Sequence, residues 1–178
     1  MIDLETLGTK PGSVILSIGA VAFAPGQVED HWATFGSGPI SVKASRDASL
    51  TIDEDTLAWW LGQPEEPRAL LKKALANEAV APWNAFIDFA GWLPVGARVW
   101  GNGANFDNVL LRAAMGAVGV ACLWPYYADH CYRTVKNLFP QVPKPKFQGV
   151  KHDALADALH QTRHLQAILA RIIVTEVR

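Results

Sequence analysis

Asp3 and Glu5, in the opening "MIDLETLGT", are separated by one residue and stand at the edge of an apolar segment. Residues i and i+2 of a strand project to the same side, so this spacing aims two carboxylates at one point. Two anions so close need either a bound cation or open solvent to offset their repulsion. Two further acids stand apart from ordinary surface charge. Asp107 follows "WGNGANF", just past an expected strand end and at the start of a helix, where ligand sites of open α/β sheets gather. An acid there also has an ordinary role, since a carboxylate at a helix N-terminus is favourable by itself. Asp157 lies in "ALADALH", among alanines and leucines, where an ionised carboxylate without a partner would be costly. His152 precedes it by five residues, a spacing that places the histidine on the loop leading into the last helix.

Together these acids offer only oxygen ligands, a set that favours Mg²⁺ or Mn²⁺ over zinc. Four carboxylates around one point call for about two divalent ions, the arrangement that activates water and steadies a leaving oxygen in phosphodiester hydrolysis. His152, with an ordinary pKa near neutrality, would take the proton from that water.

Other residues weigh against rival chemistries. His160 and His164 have zinc-like spacing but lack a third ligand, so a polar helix face is expected for them. "GNGANF" resembles a dinucleotide fingerprint only superficially, without the last glycine or the acidic ribose partner. Cys122 and Cys131 have neither metal nor disulfide spacing and read as idle thiols. From Arg133 to Lys151 the chain carries Arg133, Lys136, Lys144, Lys146 and Lys151 with no acid, interrupted by Pro140, Pro143 and Pro145. That stretch is either a solvated, proline-stiffened loop or a rim that faces phosphates, and Arg133 either binds a phosphate or ties a helix to the core.

The elements that must position these residues follow from the apolar patterning. A 178-residue chain with half its residues apolar and seven tryptophans suits one domain over 1–178 with a well-filled core. A net charge of −1 leaves the partner open. No apolar run reaches the length of a membrane span, and no leader pattern opens the chain, so a cytoplasmic protein is expected. "GTKPGS" is a turn, and "VILSIGAVAFA" a central strand antiparallel to the first, with "HWATFGSGPISV" as the third. "TIDEDTLAWWLGQ" reads as a helix with a Thr51–Glu54 capping box; "PEEPRALLKKALAN" and "PWNAFIDFAGWL" are two more. A strand "ARVWGNG" feeds the helix "NFDNVLLRAAMGAVG", "CYRTVKNLF" is a short helix, and "HDALADALHQTRHLQAILARIIV" a long amphipathic one. The pattern is α/β, a mixed sheet with helices on its faces.

"DLET", "WGNGANFDN" and "HDALADA" resemble the three motifs of the DEDDh 3′-to-5′ exonucleases of the ribonuclease H-like superfamily. "SVILSIGAVAF", "DTLAWWLGQ" and "CYRTVKNL" are similar to the phage and bacterial subfamily that includes exodeoxyribonuclease VIII-like enzymes and a mycobacterial exoribonuclease type. The resemblance spans nearly the whole chain, and the His152-to-Asp157 spacing is that of the histidine-containing branch. It implies a mixed five-stranded ribonuclease H-like sheet flanked by helices. It also implies Asp3, Glu5, Asp107 and Asp157 as ligands of two divalent cations, and His152 as general base. Thr6 and Leu7 would touch the terminal nucleotide, Trp60 rather than Trp59 would stack on a base, and Asn105 or Phe106 would line the pocket. The implied reaction releases nucleoside 5′-monophosphates from the 3′ end of single-stranded DNA or RNA, and the implied assembly is a homodimer. Only Met1 and Ile2 precede the D-x-E motif, so a truncated first strand with a looser hold on Asp3 is expected. Two alternatives remain at this level. One is a haloacid dehalogenase-like phosphatase, whose nucleophile motif wants Asp where Glu5 stands; the other is a binding domain of the same fold with weakened catalysis.

Overall fold

The computed structural model describes residues 1–103 and 105–176, with side chains of the last helix described as far as residue 172. Ala104, inside the "WGNGANFDN" motif, and the last two residues of the domain expected over 1–178 lie outside the described residues.

Among the described residues the chain forms five strands and seven α-helices in the order β1 (Ile2–Thr6), β2 (Ile15–Ala22), β3 (Ala33–Gly36), α1 (Val42–Asp47), α2 (Glu54–Leu61), α3 (Glu65–Ala74), α4 (Pro82–Trp92), β4 (Val99–Gly101), α5 (Asp107–Ala117), β5 (Asp129–Cys131), α6 (Tyr132–Leu138) and α7 (Ala154–Glu176). The expected mixed α/β class is what the chain adopts. The strands divide into an antiparallel sheet in the order β1-β2-β3 and a parallel pair β4-β5, with β4 beside β1. A single five-stranded ladder is therefore not what the described hydrogen bonds form. α1 and β5, which no periodicity in so few residues could announce, are additions to the sequence reading.

β2 is apolar along its length and buried up to Val21, as a central strand requires. β1 is short, yet pairs with β2 from Ile2↔Ala20 to Thr6↔Ile15, and the Met1 amine donates to the Val21 carbonyl at 2.8 Å. The register shifts between Glu5 and Thr6, a bulge of the kind that re-aims side chains beside functional sites. α2 is capped differently from expectation. Asp53 Oδ1 accepts the Thr56 amide at 3.0 Å, while Thr51 pairs with Ser13 in a short bridge, so the Thr51–Glu54 box does not form. No described helix is long and apolar enough to cross a membrane.

Two glycines decide how closely helices approach the strands. Gly19, opposite Asp3 in the β1-β2 register, faces the first turn of α7 so tightly that a Cβ there would lie 2.1 Å from the Ala154 carbonyl carbon. Gly101, closing β4, faces α5, where a Cβ would meet Asn108 Oδ1 at 2.4 Å. The start of each helix thus sits directly on the strands that carry or flank the acids.

Gly19→Ala is a direct check. In an unstrained strand the added methyl would stabilise by about 0.4–1 kcal/mol. Here it strikes backbone, so a loss of about 1–3 kcal/mol in urea unfolding is expected. An unchanged or raised midpoint would contradict the close seating of α7.

Candidate active site

β1 carries Asp3 and Glu5 on one side, as the strand period requires, and α7 brings Asp157 to them. One carboxylate oxygen from each of Asp3, Glu5 and Asp157 lies within 4.8 Å of the others. Asp107 begins α5 beside this group but outside that three-way cluster. Its Oδ2 accepts the Asn102 amide at 2.8 Å and its Oδ1 the Leu4 amide at 3.3 Å. It is therefore tied to both β1 and the end of β4. Asn108, the next residue, donates to the Val99 carbonyl at 2.8 Å and to Asp129 Oδ1 at 2.9 Å, which seats α5 across the β4-β5 pair. Asp129 also pairs with Arg112 and accepts the Trp124 indole N–H, so this node is closed on itself.

The electrostatics are those of anions crowded into a dry place. Asp107 is 2% exposed and Glu5 7%. Burial, then the charges of Asp157, Asp153 and Asp107, push the Glu5 carboxyl up to about 8. Burial, then Asp107, Glu5 and Asp157, raise Asp3 well above the usual carboxylate range against the opposing hydrogen bond from Gln161. Asp107 is pushed up to about 6 by burial, although backbone N–H groups and the Arg133 charge oppose it. Asp157 is raised by burial, with the His152 amide and the charges of His152 and His160 acting the other way.

Gln161, one turn beyond Asp157, donates to Asp3 Oδ1 at 2.7 Å; its own Oε1 is buried without a protein partner, as is His160 Nδ1. The donor set fits a hard divalent cation. It is all oxygen, it converges, and it carries negative charge for which burial has removed water.

His152 precedes α7 with a backbone φ of +62°, a left-handed conformation unusual for a residue with a side chain. Two contacts hold it. Its backbone N–H donates to Asp157 Oδ2 at 3.0 Å, and its ring meets the Trp59 indole edge-to-face with centroids 4.9 Å apart. Asp153, next in the chain, caps α7 by accepting the Ala156 amide at 2.9 Å.

The expected substrate contacts separate into those that face space and those that do not. A groove of about 410 Å³ beside the acids is lined by Glu5, Thr6, Trp59, Trp60 and Phe106, with Asp55 and Thr56 at α2. Thr6 and Phe106 therefore line open space. Leu7 does not: it is 1% exposed within the main core. Trp60 borders the groove from within the core. It is 1% exposed and its indole N–H donates to the Thr6 carbonyl at 2.8 Å, so it secures the bulge of β1, while Trp59, its 45% exposed neighbour, presents a free face. Asn105 is exposed but does not line this groove. Arg133 is exposed on α6, close enough to Gly103 that a Cβ there would lie 3.5 Å from its guanidinium.

His164 departs from the expected polar face. It is buried, sharing a 2.7 Å hydrogen bond with the Tyr132 hydroxyl through Nδ1 and a 3.0 Å bond with the Val142 carbonyl through Nε2. Both cysteines are free thiols: Cys131 Sγ caps α6 and Cys122 Sγ accepts from Arg112. Sequence reasoning missed Gln161 and Asn108, since an amide one turn or one residue from an acid has no distinguishing pattern in a linear chain.

With this geometry in place, comparison with known families assigns residues 1–169 to the 3′-5′ exoribonuclease Rv2179c-like domain. The chain belongs to that family, and so to a class of hydrolytic nucleases. A comparison with curated proteins returns no match.

The raised carboxylates have a measurable consequence. Without divalent cations, folded Glu5 holds its proton up to about 8, whereas the unfolded chain releases it near 4.5. Stability from this group is complete below the unfolded value and is lost as pH rises through the folded one. In chelator the thermal midpoint should therefore fall between about pH 5 and pH 8, and Glu5→Gln should flatten that fall. Mg²⁺ or Mn²⁺ should raise the midpoint more at the alkaline end, because bound cations compete with those protons. A cation response that is largest at acid pH would contradict the arrangement.

Proposed function

We propose that this protein is a metal-dependent 3′-to-5′ exonuclease acting on single-stranded nucleic acid, RNA foremost, and releasing nucleoside 5′-monophosphates. The observation that carries the reading is the convergence of Asp3, Glu5 and Asp157 oxygens within 4.8 Å, with Asp107 beside them, in a chain of an exoribonuclease family. The position of β4 next to β1 supports reading the two sheets as one ribonuclease H-like arrangement of five strands.

Asp3, Glu5, Asp107 and Asp157 would hold two divalent cations, Mg²⁺ or Mn²⁺, which supply Lewis-acid activation of water and charge stabilisation in phosphodiester hydrolysis. The remaining work falls to the chain. His152 accepts the proton of the attacking water through its imidazole; the hydrogen bond from its backbone N–H to Asp157 ties it to the acids. Water is the nucleophile, so no covalent intermediate on the protein forms. Trp59, which lines the groove with Phe106, offers the terminal base a stacking face, and Thr6 lines it next to Glu5. Family membership supports this reading over a phosphatase that would form an aspartyl-phosphate.

Oligonucleotides labelled at either end, in RNA and DNA versions, test the reading when incubated with Mg²⁺ or Mn²⁺. Stepwise shortening from the 3′ end with nucleoside 5′-monophosphate as product is expected, abolished by chelator. Shortening from the 5′ end, internal cleavage or full activity in chelator would overturn it. Asp157→Ala should eliminate turnover in a folded protein, and His152→Ala should lower kcat by about 10²-fold or more.

Trp59→Ala should weaken substrate binding by about 1–3 kcal/mol, read as a raised KM with the thermal midpoint nearly unchanged. Trp60→Ala should instead lower the midpoint by about 3–5 kcal/mol of stability. The reverse pattern would return the stacking role to Trp60.

A further inference from the structure

We propose that Arg133, Lys136 and Lys144 form a docking strip for the phosphodiester backbone of single-stranded nucleic acid, carrying the nucleotides upstream of the one in the groove. The inference rests on the exonuclease reading and adds the path the rest of the strand takes.

Three observations converge. First, the cations come from separate places and are pinned together. Lys136 Nζ lies 3.4 Å from Asn102 Oδ1 and 5.2 Å from the centre of the Tyr132 ring, and Arg133 packs over Gly103. Lys144 follows Val142, whose side chain is buried and whose carbonyl is bound by His164, itself bonded to the Tyr132 hydroxyl. The Tyr132–His164–Val142 chain thus fixes α6 and the proline-rich segment on α7, and holds their cations on one side.

Second, no ion pair among the described residues engages Lys136 or Lys144, and Arg133 faces the Asp107 charge. From residue 130 to residue 152 the sequence has five Lys and Arg residues and no acid. The ion pairs of Arg112 with Asp129 and of Arg163 with Glu29 involve none of the three. Lys136 accordingly sits below its usual range, through burial first and then the charges of Lys144 and Arg133. Like charges held together in this way are poised for a polyanion, whose binding releases counterions.

Third, the strip is joined to the acids. Asn102 accepts Lys136 through its side-chain oxygen and donates its backbone N–H to Asp107 Oδ2 at 2.8 Å. A strand ending at the carboxylates and leaving past β4 crosses Arg133 and Lys136 next.

The test compares the wild-type chain, the Lys136→Gln/Lys144→Gln double variant and Lys72→Gln, a change on exposed α3, over a range of salt. Two substrates are used: a single-stranded oligoribonucleotide and a p-nitrophenyl ester of a nucleoside 5′-monophosphate, which fills the groove alone. For the oligonucleotide, the double variant should raise KM about tenfold at low salt. It should also flatten the plot of log(kcat/KM) against log[salt] by about 1.4, some 0.7 for each lost phosphate contact. Its kcat, and its kinetics on the ester, should match wild type, and Lys72→Gln should match wild type throughout. A double variant with the wild-type salt slope, or one that loses the ester as much as the oligonucleotide, overturns the strip while leaving the exonuclease reading standing. A wild-type chain inactive on both substrates overturns that reading, and the strip with it.

Discussion

Mutual repulsion among buried carboxylates is the constraint on which the rest of this structure depends. Asp3, Glu5 and Asp157 present oxygens within 4.8 Å of one another, and Asp107 adds its field from the start of α5. No fold would gather such groups for stability, since each is held away from water and raised toward its protonated form. The surrounding scaffold must supply the energy that keeps them together, and it does so by close packing of helix starts on strands. Gly19 and Gly101 are the places where that packing is tightest, because their missing side chains let α7 and α5 touch the strands.

Around the acids, uncharged polar groups, mostly backbone N–H, hold position rather than neutralise. Gln161 steadies Asp3, backbone amides of Leu4 and Asn102 steady Asp107, and the His152 amide steadies Asp157. Each supplies a dipole and none a full opposite charge, so the negative field is preserved for a hard cation. The closed Asn108–Asp129–Arg112 node serves the same end at a distance, fixing α5 without directing its cation toward the acids.

Two tryptophans show how one step along a helix divides labour. Trp59 and Trp60 differ by about 100° in direction. Trp60 turns inward and bonds the Thr6 carbonyl at the bulge, while Trp59 faces the groove and backs the His152 ring. The aromatic pair therefore links the shape of β1 to the loop that precedes α7. His152 is the junction, with a left-handed backbone fixed by Asp157 and a ring fixed by Trp59.

The amino-acid sequence by itself determined the chemistry on offer. Period-two spacing put Asp3 and Glu5 on one side of a strand. Apolar surroundings marked Asp157 as an acid needing a partner, and the apolar β2 run and the long final helix were legible because burial over many residues leaves a period. Direction at a single residue was not legible: Trp60 and Leu7 turned inward, His164 joined the core, and Asp53 displaced Thr51 as the cap. Such choices turn on competition for a few ångströms of space and for individual backbone groups, which no local pattern encodes. Only the tertiary structure decided that β1, α5 and α7 meet and that Gln161 reaches Asp3. These are contacts between residues up to 158 positions apart, and their energy exists only once the chain has closed around them.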